Sequence, residues 1–287
     1  MLDISKIKYI DIHSHLHFPD FDNDREEVIG RMRENGVATI VIGTDIKESQ
    51  KSKDLSIANE NIFYSVGLHP HEDEDITDFA FKNQERYFEE LKELAQNERC
   101  LCVGECGLDY FYISKESNGE DLEKKKERQK ILFRRHIELA KDLNIPLMLH
   151  VRPSEIDGNR EDAYLEAIEV LKEYDIENLK VNFHFFVSTK NVLAKILENE
   201  NFTVSIPAVC TFTNEYNEMI KAIPLERLHI ETDSPYVVPK ARRKEAKRNE
   251  PNFVIDVFEK ICEIKEILDK EEFRNILKDN FKRMFLG

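Results

Sequence analysis

The sequence predicts a TIM-type (β/α)₈ barrel that forms a single domain over residues 1–287. Two observations carry this prediction: short β-rich apolar runs recur along the chain, and amphipathic stretches with helical spacing separate them. With 41% hydrophobic and 34% charged residues, the 287-residue chain can bury a large core and does not have the composition of a disordered protein. A doubly wound open sheet is the structural alternative. No Gly/Ser/Pro-rich linker divides the chain.

Eight apolar runs are predicted to be strands, because each is short and most are rich in β-branched or aromatic residues. In chain order they are residues 9–13, 38–43, 62–67, 101–105, 146–150, 181–185, 202–206 and 228–233. The intervening stretches, such as 133–143, repeat apolar residues at helical spacing. The most polar stretch, 114–128, is interpreted as an exposed charged loop with a turn at Asn118-Gly119, although part of it could begin a helix. Eight strands alternating with helices fit a parallel sheet closed on itself.

Composition narrows the possible functions. A formal net charge of −15 argues against broad electrostatic binding to nucleic acid or anionic lipid. It does not exclude a phosphate-bearing substrate, because bound metal ions can invert the field inside one cleft. No apolar run reaches the length of a membrane span, and the first residues show no signal-peptide core, so we expect a cytoplasmic protein without membrane contact. The odd number of cysteines, five, indicates reduced thiols.

Polar side chains end five of the predicted strands. They are four imidazoles and two carboxylates, namely His13, His15, Glu105, His150, His184 and Asp233. The carboxyl ends of barrel strands converge on one face, where barrel enzymes carry out their chemistry. Taken singly, each residue has a structural explanation, such as a buried core histidine or a carboxylate paired with a basic side chain. Taken together, they predict a metal site.

The period of two within a strand places these side chains on a common face. Asp11, His13 and, in an extended strand, His15 share one face, so Ile10 and Ile12 are predicted to face the helices. We expect Asp11 to orient a ligand imidazole from behind.

Several other reactive residues are assigned structural positions. Cys100, Cys102 and Cys106 have the opposite parity to the fourth-strand carboxylate and are predicted to pack against the helices. His136 lies within a charged helical stretch and is predicted to be a surface residue. His229 precedes the strand-eight aspartate and is predicted to lie deep in the barrel with a structural role.

The predicted ligands suit particular ions. A nitrogen and oxygen set without thiolate favours Zn²⁺, Mn²⁺, Mg²⁺ or Fe²⁺. Six ligands exceed the need of one tetrahedral ion and suit two ions about 3.5–4 Å apart with a bridging carboxylate. Such a pair lowers the pKa of a bound water and stabilises an in-line displacement at phosphorus.

Two cationic features could bind phosphate. Arg152 follows His150 by two residues, and its guanidinium can hold two phosphate oxygens, so it is a predicted substrate-binding residue. Residues 240–248 carry six cations after the eighth strand. This segment either guides a polyanion to the metals or is simply a solvated helix flank.

Read in order, the motifs resemble the TatD-like metal-dependent deoxyribonuclease family, within the amidohydrolase-type barrels, over essentially the whole chain. The matching segments are 11–16, 67–71, 104–110, 150–152, 184–186, 231–236 and 248–251. The resemblance implies that the strand-one histidines and Asp233 hold one ion, that His150 and His184 hold a second, and that Glu105 bridges them. It implies that His69 contacts substrate or solvent. The family usually has aspartate after its His-x-His-Leu run, where this chain has His17.

The family includes divalent-metal-dependent nucleases, several of which trim DNA from the 3′ end, and members without an established substrate. The resemblance therefore implies hydrolysis of DNA with two divalent ions (Mg, Mn or Zn), with Asp233 as the general base and Glu105 also catalytic; no protein partner is implied. One alternative is an amidohydrolase-type enzyme for a small amide, lactone or phosphoester. Many such enzymes bridge their metals with a carboxylated lysine, and Glu105 in that place modestly favours the nuclease. A non-catalytic scaffold is the other alternative, and the complete ligand set argues against it.

Overall fold

Eight parallel strands form one sheet in chain order in the computed structural model, which describes residues 6–71, 74–174 and 177–287. The strands are β1 (Tyr9–Ser14), β2 (Val37–Val41), β3 (Ile62–Val66), β4 (Cys100–Asp109), β5 (Leu147–Arg152), β6 (Val181–Phe183), β7 (Phe202–Ile206) and β8 (Leu228–Ile230). Each strand pairs with the next in parallel. A parallel bridge between Ser14 and Ser234 joins β1 to the segment after β8, so the sheet closes. The predicted barrel is therefore confirmed.

Helices connect the strands and cover the outside of the barrel. They are α1 (Arg25–Asn35), α2 (Ile46–Ala58), α3 (Glu74–Lys82), α4 (Gln84–Leu94), α5 (Tyr110–Glu116), α6 (Gly119–Leu143), α7 (Asp162–Lys172), α8 (Lys190–Leu197), α9 (Asn217–Ala222), α10 (Val254–Ile264) and α11 (Lys270–Phe281). The stretch 114–128, interpreted as a loop, instead spans the end of α5 and the start of α6. Its charges are compatible with a helix because they pair along it, as Glu120 does with Lys124 at 2.8 Å.

The core has two parts. The larger apolar cluster lies between the sheet and the helices and includes Leu147, Phe183 and Phe258. The smaller cluster combines residues of β1 to β5 with Phe281, Met284 and Phe285. Side chains from five neighbouring strands can meet one segment only inside the barrel, so the chain's last helical turns close its amino-terminal end.

The side-chain directions predicted from the period of two are wrong for three residues of the smaller cluster. Ile10, Ile12 and Cys102 lie inside the barrel with the C-terminal segment and do not face the helices. The register of β1 against β2 shifts between Asp11 and Ser14, and the register of β4 also shifts on both of its edges. An extra residue in a strand exchanges its two faces, which a strict period of two cannot anticipate.

Other predictions concern isolated residues and membrane contact. The five cysteines are free and buried, and burial raises the pKa of Cys100 to about 12, so its thiol remains protonated. His229 is buried deep in the barrel, as predicted, with its ring 5.8 Å from that of Phe285. Among the helices of the described ranges, none is long and apolar enough to span a bilayer.

Candidate metal centre

The six predicted ligands meet at the carboxyl end of the barrel. Three sets of possible ligand atoms each lie within 4.8 Å of one another: His13, Glu105 and His184; His13, His15 and Asp233; and His69, Glu105 and His150. The first set is fully buried, and only Asp233, His69 and His150 among these residues are partly open to solvent. The structure thus brings together side chains from β1, β4, β5 and the segments after β3, β6 and β8.

Glu105 occupies the middle of the cluster. Its Oε1 lies 2.9 Å from His150 Nδ1 and 2.8 Å from His184 Nε2, whereas its Oε2 lies 3.4 Å from His13 Nε2 and 3.8 Å from His15 Nε2. Burial alone would raise the pKa of Glu105, but attraction to the surrounding imidazoles lowers it well below its usual value. A buried carboxylate therefore stays charged, with one oxygen toward each group of histidines.

Close backbone packing fixes the position of Glu105. Its amide donates to Gly43 O at 3.1 Å, at the end of β2. At the end of β3, a Cβ on Gly67 would lie 2.6 Å from Gly104 C and 2.8 Å from Glu105 N, both backbone atoms. Only a residue without a side chain allows the β3 end to approach β4 this closely.

His13, His15 and Asp233 form one side of the cluster, here named the β1 half. Asp233 Oδ1 lies 3.6 Å from His13 Nε2 and 3.4 Å from His15 Nε2, and the Asp233 amide donates to His13 O at 2.9 Å. This backbone bond carries the strand pairing beyond β8. The φ of Asp233 is 53°, a left-handed conformation that aspartate tolerates better than most residues.

Ring stacking holds the two imidazoles of the β1 half. His13 stacks on His184 with centroids 3.8 Å apart, and His15 stacks on Phe18 at 4.6 Å. Within the described residues, no group hydrogen-bonds to either ring nitrogen of His13 or to Nδ1 of His15. Burial and the neighbouring His184 lower the pKa of His13 to about 4. At neutral pH its ring is therefore uncharged and can bind a cation.

His150 and His184 form the β5–β6 half, and a carboxylate backs each ring. Asp109 Oδ2 lies 2.9 Å from His150 Nε2, and Glu231 Oε1 lies 3.5 Å from His184 Nδ1. Burial lowers the pKa of His150, but its bonds to Asp109 and Glu105 outweigh burial and raise the pKa to about 9. Ligand histidines in metalloproteins typically have such carboxylate partners.

Asp109 contacts a predicted ligand and also caps a helix, and neither role was predicted from the sequence. Its Oδ1 accepts from the amides of Phe111 and Tyr112 at 3.1 and 3.3 Å, so it caps the start of α5 while Oδ2 contacts His150. Its position in the sequence could have indicated the contact, because Asp109 lies in the matching segment 104–110 and follows Glu105 by four residues, at the same strand parity.

The donor set fits divalent cations. His13 Nε2 is buried without a hydrogen bond, yet carboxylate oxygens lie 3.4 and 3.6 Å away. An orphaned buried acceptor is costly unless something binds it. Donor atoms about 3–4 Å apart are also what a cation with bonds of about 2.0–2.2 Å would gather around itself. Nitrogen and oxygen donors without sulfur suit Zn²⁺, Mn²⁺ or Mg²⁺.

Asp11 does not orient a ligand imidazole. Its carboxylate accepts from Thr232 N at 2.8 Å and Thr232 Oγ1 at 2.7 Å, and from the backbone amide of His13 at 3.3 Å. It also accepts from Thr39 Oγ1 at 3.3 Å, and the register of β1 against β2 shifts just after Asp11. Asp11 therefore ties β1 to the segment after β8, which positions His13 and Asp233 through their backbones.

His17 stands where the family usually has aspartate. Its Nε2 lies 3.3 Å from Glu48 Oε2, and Glu48 Oε1 accepts from Lys51 at 2.8 Å. Burial lowers the pKa of His17 to about 4. The residue thus lies at the inner end of a polar chain that runs from the partly exposed Lys51 through Glu48, and its ring centroid is 6.1 Å from that of His15.

The two predicted substrate-binding residues lie at the mouth of the centre. His69 Nε2 is 3.2 Å from His150 Nδ1 and 3.6 Å from Glu105 Oε1. The Arg152 guanidinium lies over the ring of Phe111 at 3.8 Å, and no carboxylate of the described ranges forms an ion pair with it.

The cationic segment 240–248 is a series of turns, and its arginines are engaged within the protein. Arg242 bonds to Asp256 at 3.0 Å, Arg248 bonds to Asp24 at 2.7 Å, and Arg243 lies 3.9 Å from the centre of an aromatic ring. Because these three arginines already have partners in the protein, fewer of the six cations of the segment can bind a polyanion than their number in the sequence indicates.

The prediction that His136 is a surface residue is wrong. The side chain is buried, its Nδ1 donates to Leu132 O at 2.8 Å, and its Nε2 accepts from the Leu68 amide at 3.0 Å. Gln129, two turns earlier on α6, donates to Pro70 O at 3.0 Å. Helix α6 therefore anchors the loop that carries His69.

Comparisons with known proteins agree with this geometry. The family model described as "TatD related DNase" matches residues 10–286. The uncharacterized metal-dependent hydrolase YabD of Bacillus subtilis is 34% identical over 280 residues, covering 96% of this chain and 98% of the relative. The uncharacterized metal-dependent hydrolase YcfH of Escherichia coli is 29% identical and covers 96% of this chain and 95% of its own length.

Solved structures share the same fold. The TatD homologue YJJV of Escherichia coli superposes with a TM-score of 0.79 at 23% identity, covering 98% of this chain and 99% of that one. A TatD-family hydrolase of Entamoeba histolytica gives a TM-score of 0.78 at 24% identity, with 97% and 98% coverage. From the match along nearly its whole length, the chain belongs to the TatD-related DNase family of metal-dependent hydrolases.

Proposed function

We propose that this protein hydrolyses phosphodiester bonds of DNA with two divalent ions. One observation carries the proposal: the two carboxylate oxygens of Glu105 face different pairs of histidines. Oε1 faces His150 and His184, and Oε2 faces His13 and His15. A bridging carboxylate with separate ligands on either side is the arrangement that a two-ion centre requires. The family match supports the choice of DNA as substrate.

Each half of the cluster would hold one ion. His13, His15 and Asp233 would hold the first, and His150 and His184 would hold the second, with Glu105 shared. Such ions lower the pKa of a bound water and neutralise charge on the phosphoryl oxygens during in-line attack.

Asp233 is the proposed general base. Its Oδ1 lies within 3.6 Å of both histidines of the β1 half, and 14% of its side chain is open to the mouth. Its carboxylate can therefore accept the proton of the attacking water while its left-handed backbone keeps it in place.

Arg152 is the proposed phosphate-binding residue. Its guanidinium lies on Phe111 and 5.0 Å from the ring of Tyr112, so its plane is set by stacking and its N–H groups remain available. A planar guanidinium can chelate two oxygens of one phosphate. On a protein of net charge −15, such a local cation favours binding of a polyanion at this mouth.

The test removes all metal with a chelator and restores Mg²⁺, Mn²⁺ or Zn²⁺ singly. End-labelled single-stranded and duplex DNA, RNA, and chromogenic phosphodiester, ester and amide compounds are offered to each form. We expect metal-dependent cleavage of DNA that the Asp233→Asn variant loses while it stays folded by circular dichroism. Cleavage confined to amides or esters would replace the proposal with the amidohydrolase alternative.

A further inference from the structure

The cationic segment 240–248 carries charges that no carboxylate of the described ranges neutralises. Four of its six cations are exposed and form no ion pair there, namely Lys240, Arg243, Lys244 and Lys247. The chain has 57 acidic residues against 42 lysines and arginines, so a group of cations without acidic partners is unexpected on its surface. One carboxylate without an ion pair, Glu245, lies among the four, which leaves the segment positive.

The backbone of the segment is fixed beside the metal centre. Just beyond its end, the Asn249 side chain donates to Thr232 O at 2.9 Å and the Asn249 amide donates to Pro235 O at 3.0 Å. At its start, the Lys240 amide donates to Thr211 Oγ1 at 3.0 Å. Thr232 and Pro235 flank the proposed general base in sequence, so the segment is attached next to the carboxyl end of β8.

Two arginines of the segment anchor it to the surrounding helices. Arg242 bonds to Asp256 of α10 at 3.0 Å, and Arg248 bonds to Asp24, just before α1, at 2.7 Å. These two ion pairs hold the turns between them in place. A backbone that is already ordered loses little conformational entropy when its free side chains bind an anion.

Arg243 is held in the same way as Arg152. Its guanidinium lies 3.9 Å from the centre of the Phe212 ring, and none of its N–H groups donates to an acceptor in the described part of the chain. Arg152 lies 3.8 Å from the centre of the Phe111 ring. Stacking covers one face of a guanidinium and leaves its N–H edge available to two oxygens of a phosphate. Arg152 ends β5 and Arg243 follows β8, so the two arginines lie on different sides of the mouth.

An exposed aromatic ring lies between the metal centre and the segment. The ring of Tyr236 is 6.0 Å from that of His15, and half of the Tyr236 side chain is exposed. Tyr236 precedes the segment by four residues. A strand that leaves the centre on this side therefore meets an aromatic ring and then cations, the combination with which proteins bind bases and backbone phosphates.

We infer that Arg243, Lys244 and Lys247 form a second phosphate subsite, which binds backbone phosphates of the DNA strand away from the scissile bond. This inference rests on the proposed function. Contacts remote from the reacting phosphate are equally strong in the ground state and the transition state, so they lower KM without raising kcat. The subsite thus favours strands that are long enough to reach it over dinucleotides.

The test compares the double variant Lys244→Ala/Lys247→Ala with Lys6→Ala/Lys8→Ala. The control removes the same charge from exposed lysines that precede β1, at the opposite end of the barrel. For each metal-loaded protein, kcat/KM is measured with a 20-nucleotide single strand and with a dinucleotide. We expect the ratio of the two values to fall by about tenfold in the first variant and to stay at the wild-type value in the control. The same ratio in all three proteins, or an equal fall in both variants, overturns the inference.

A second measurement does not depend on turnover. Fluorescence anisotropy gives the Kd of the labelled 20-nucleotide strand for Zn²⁺-loaded Asp233→Asn at several salt concentrations. Each phosphate contact that is lost lowers the slope of log Kd against log salt by about 0.7 for a single strand, so removing Arg243, Lys244 and Lys247 together should lower it by about 2. An unchanged slope overturns the inference, even if the wild type cleaves DNA. If the slope changes as expected but the wild type cleaves only amides or esters, the proposed function fails and the phosphate subsite stands.

Discussion

The two halves of the metal centre are held by different forces. In the β5–β6 half, Asp109 accepts a hydrogen bond from His150 at 2.9 Å, whereas Glu231 lies 3.5 Å from His184 Nδ1 without a hydrogen bond. In the β1 half, the rings are placed by stacking, and Nδ1 of neither histidine has a hydrogen-bond partner among the described residues.

The difference is clearest between His150, which a carboxylate holds by a hydrogen bond, and His15, which packing against Phe18 holds. A carboxylate fixes both the plane and the tautomer of a ring and makes the opposite nitrogen more basic. A stacked ring has its plane fixed, but its tautomer is free. We therefore expect that replacing a polar partner lowers the metal affinity of the β5–β6 half and that replacing an apolar partner lowers the metal affinity of the β1 half. Each change should have little effect on the other half.

The largest effect should come from Glu105→Gln, which removes the anion common to both halves. An amide cannot bridge two cations through two charged oxygens, so both ions should be lost and kcat should fall by about 10⁴-fold. The checks are metal content after dialysis and turnover at saturating metal. Glu48→Gln is the control, since it also neutralises one carboxylate, paired with His17 behind the β1 half. Metal-dependent turnover within tenfold of the wild type would refute the bridging role.

Asp109→Asn should weaken the β5–β6 half alone. Asparagine still caps α5 but no longer holds His150 with a charge, so affinity for one ion should fall by about 10- to 100-fold. Calorimetric titration with Zn²⁺ should show one weakened and one unchanged binding step. Asp45→Asn is a matched control, because Asp45 caps α2 in the same way, accepting from Glu48 N at 2.6 Å, at a different helix. Equal weakening of both steps would contradict the independence of the halves.

Phe18→Leu is the corresponding change in the β1 half. It removes the ring 4.6 Å from His15 and keeps an apolar side chain. The stacking contribution of about 0.5–1.5 kcal/mol corresponds to a loss of roughly 2- to 13-fold in affinity for the other ion. Combined with Asp109→Asn, the two losses should add unless the shared Glu105 and the stacked pair His13–His184 transmit them from one half to the other. Marked non-additivity in the same titration would show that the halves are coupled.

The sequence predicts most of the fold and the ligand set because those depend on local patterns. The strand over 202–206 is observed with identical bounds, and all eight strands lie where apolar runs were found. The side-chain directions of Ile10 and Ile12 could not be predicted, because the register shift in β1 arises from pairing with β2. A period of two describes a regular strand only.

The hydrogen-bond partners of buried polar side chains also could not be predicted from the sequence. His136 has charged neighbours in the chain, and its burial depends on an amide from a loop 68 residues away. The pairing of Asp109 with His150 likewise joins positions 41 residues apart. Such contacts are set by the closure of the barrel, which brings the ends of distant strands together.

The smallest effect on the metal centre itself should come from behind the site, where α6 anchors the His69 loop through His136. Burial lowers the pKa of His136 from 6.5 to about 4. The unfolded chain therefore takes up a proton below pH 6.5 that the folded chain resists until about pH 4. Stability linked to this residue is present above pH 6.5 and is lost as the pH falls from 6.5 toward 4, in total about 3 kcal/mol.

His136→Gln should remove this dependence while its amide oxygen can still accept from the Leu68 amide. The variant should be less stable than the wild type at pH 7 by about 1 kcal/mol, because it loses the bond to Leu132 O. Between pH 7 and pH 4, however, its free energy of unfolding should fall less steeply than that of the wild type. Urea unfolding of the chelator-treated proteins at several pH values measures both quantities, with His71→Gln at the mouth as the control. Parallel curves for His136→Gln and wild type would mean that His136 has the same pKa in the folded and the unfolded chain, which would contradict its burial as a neutral acceptor of the Leu68 amide.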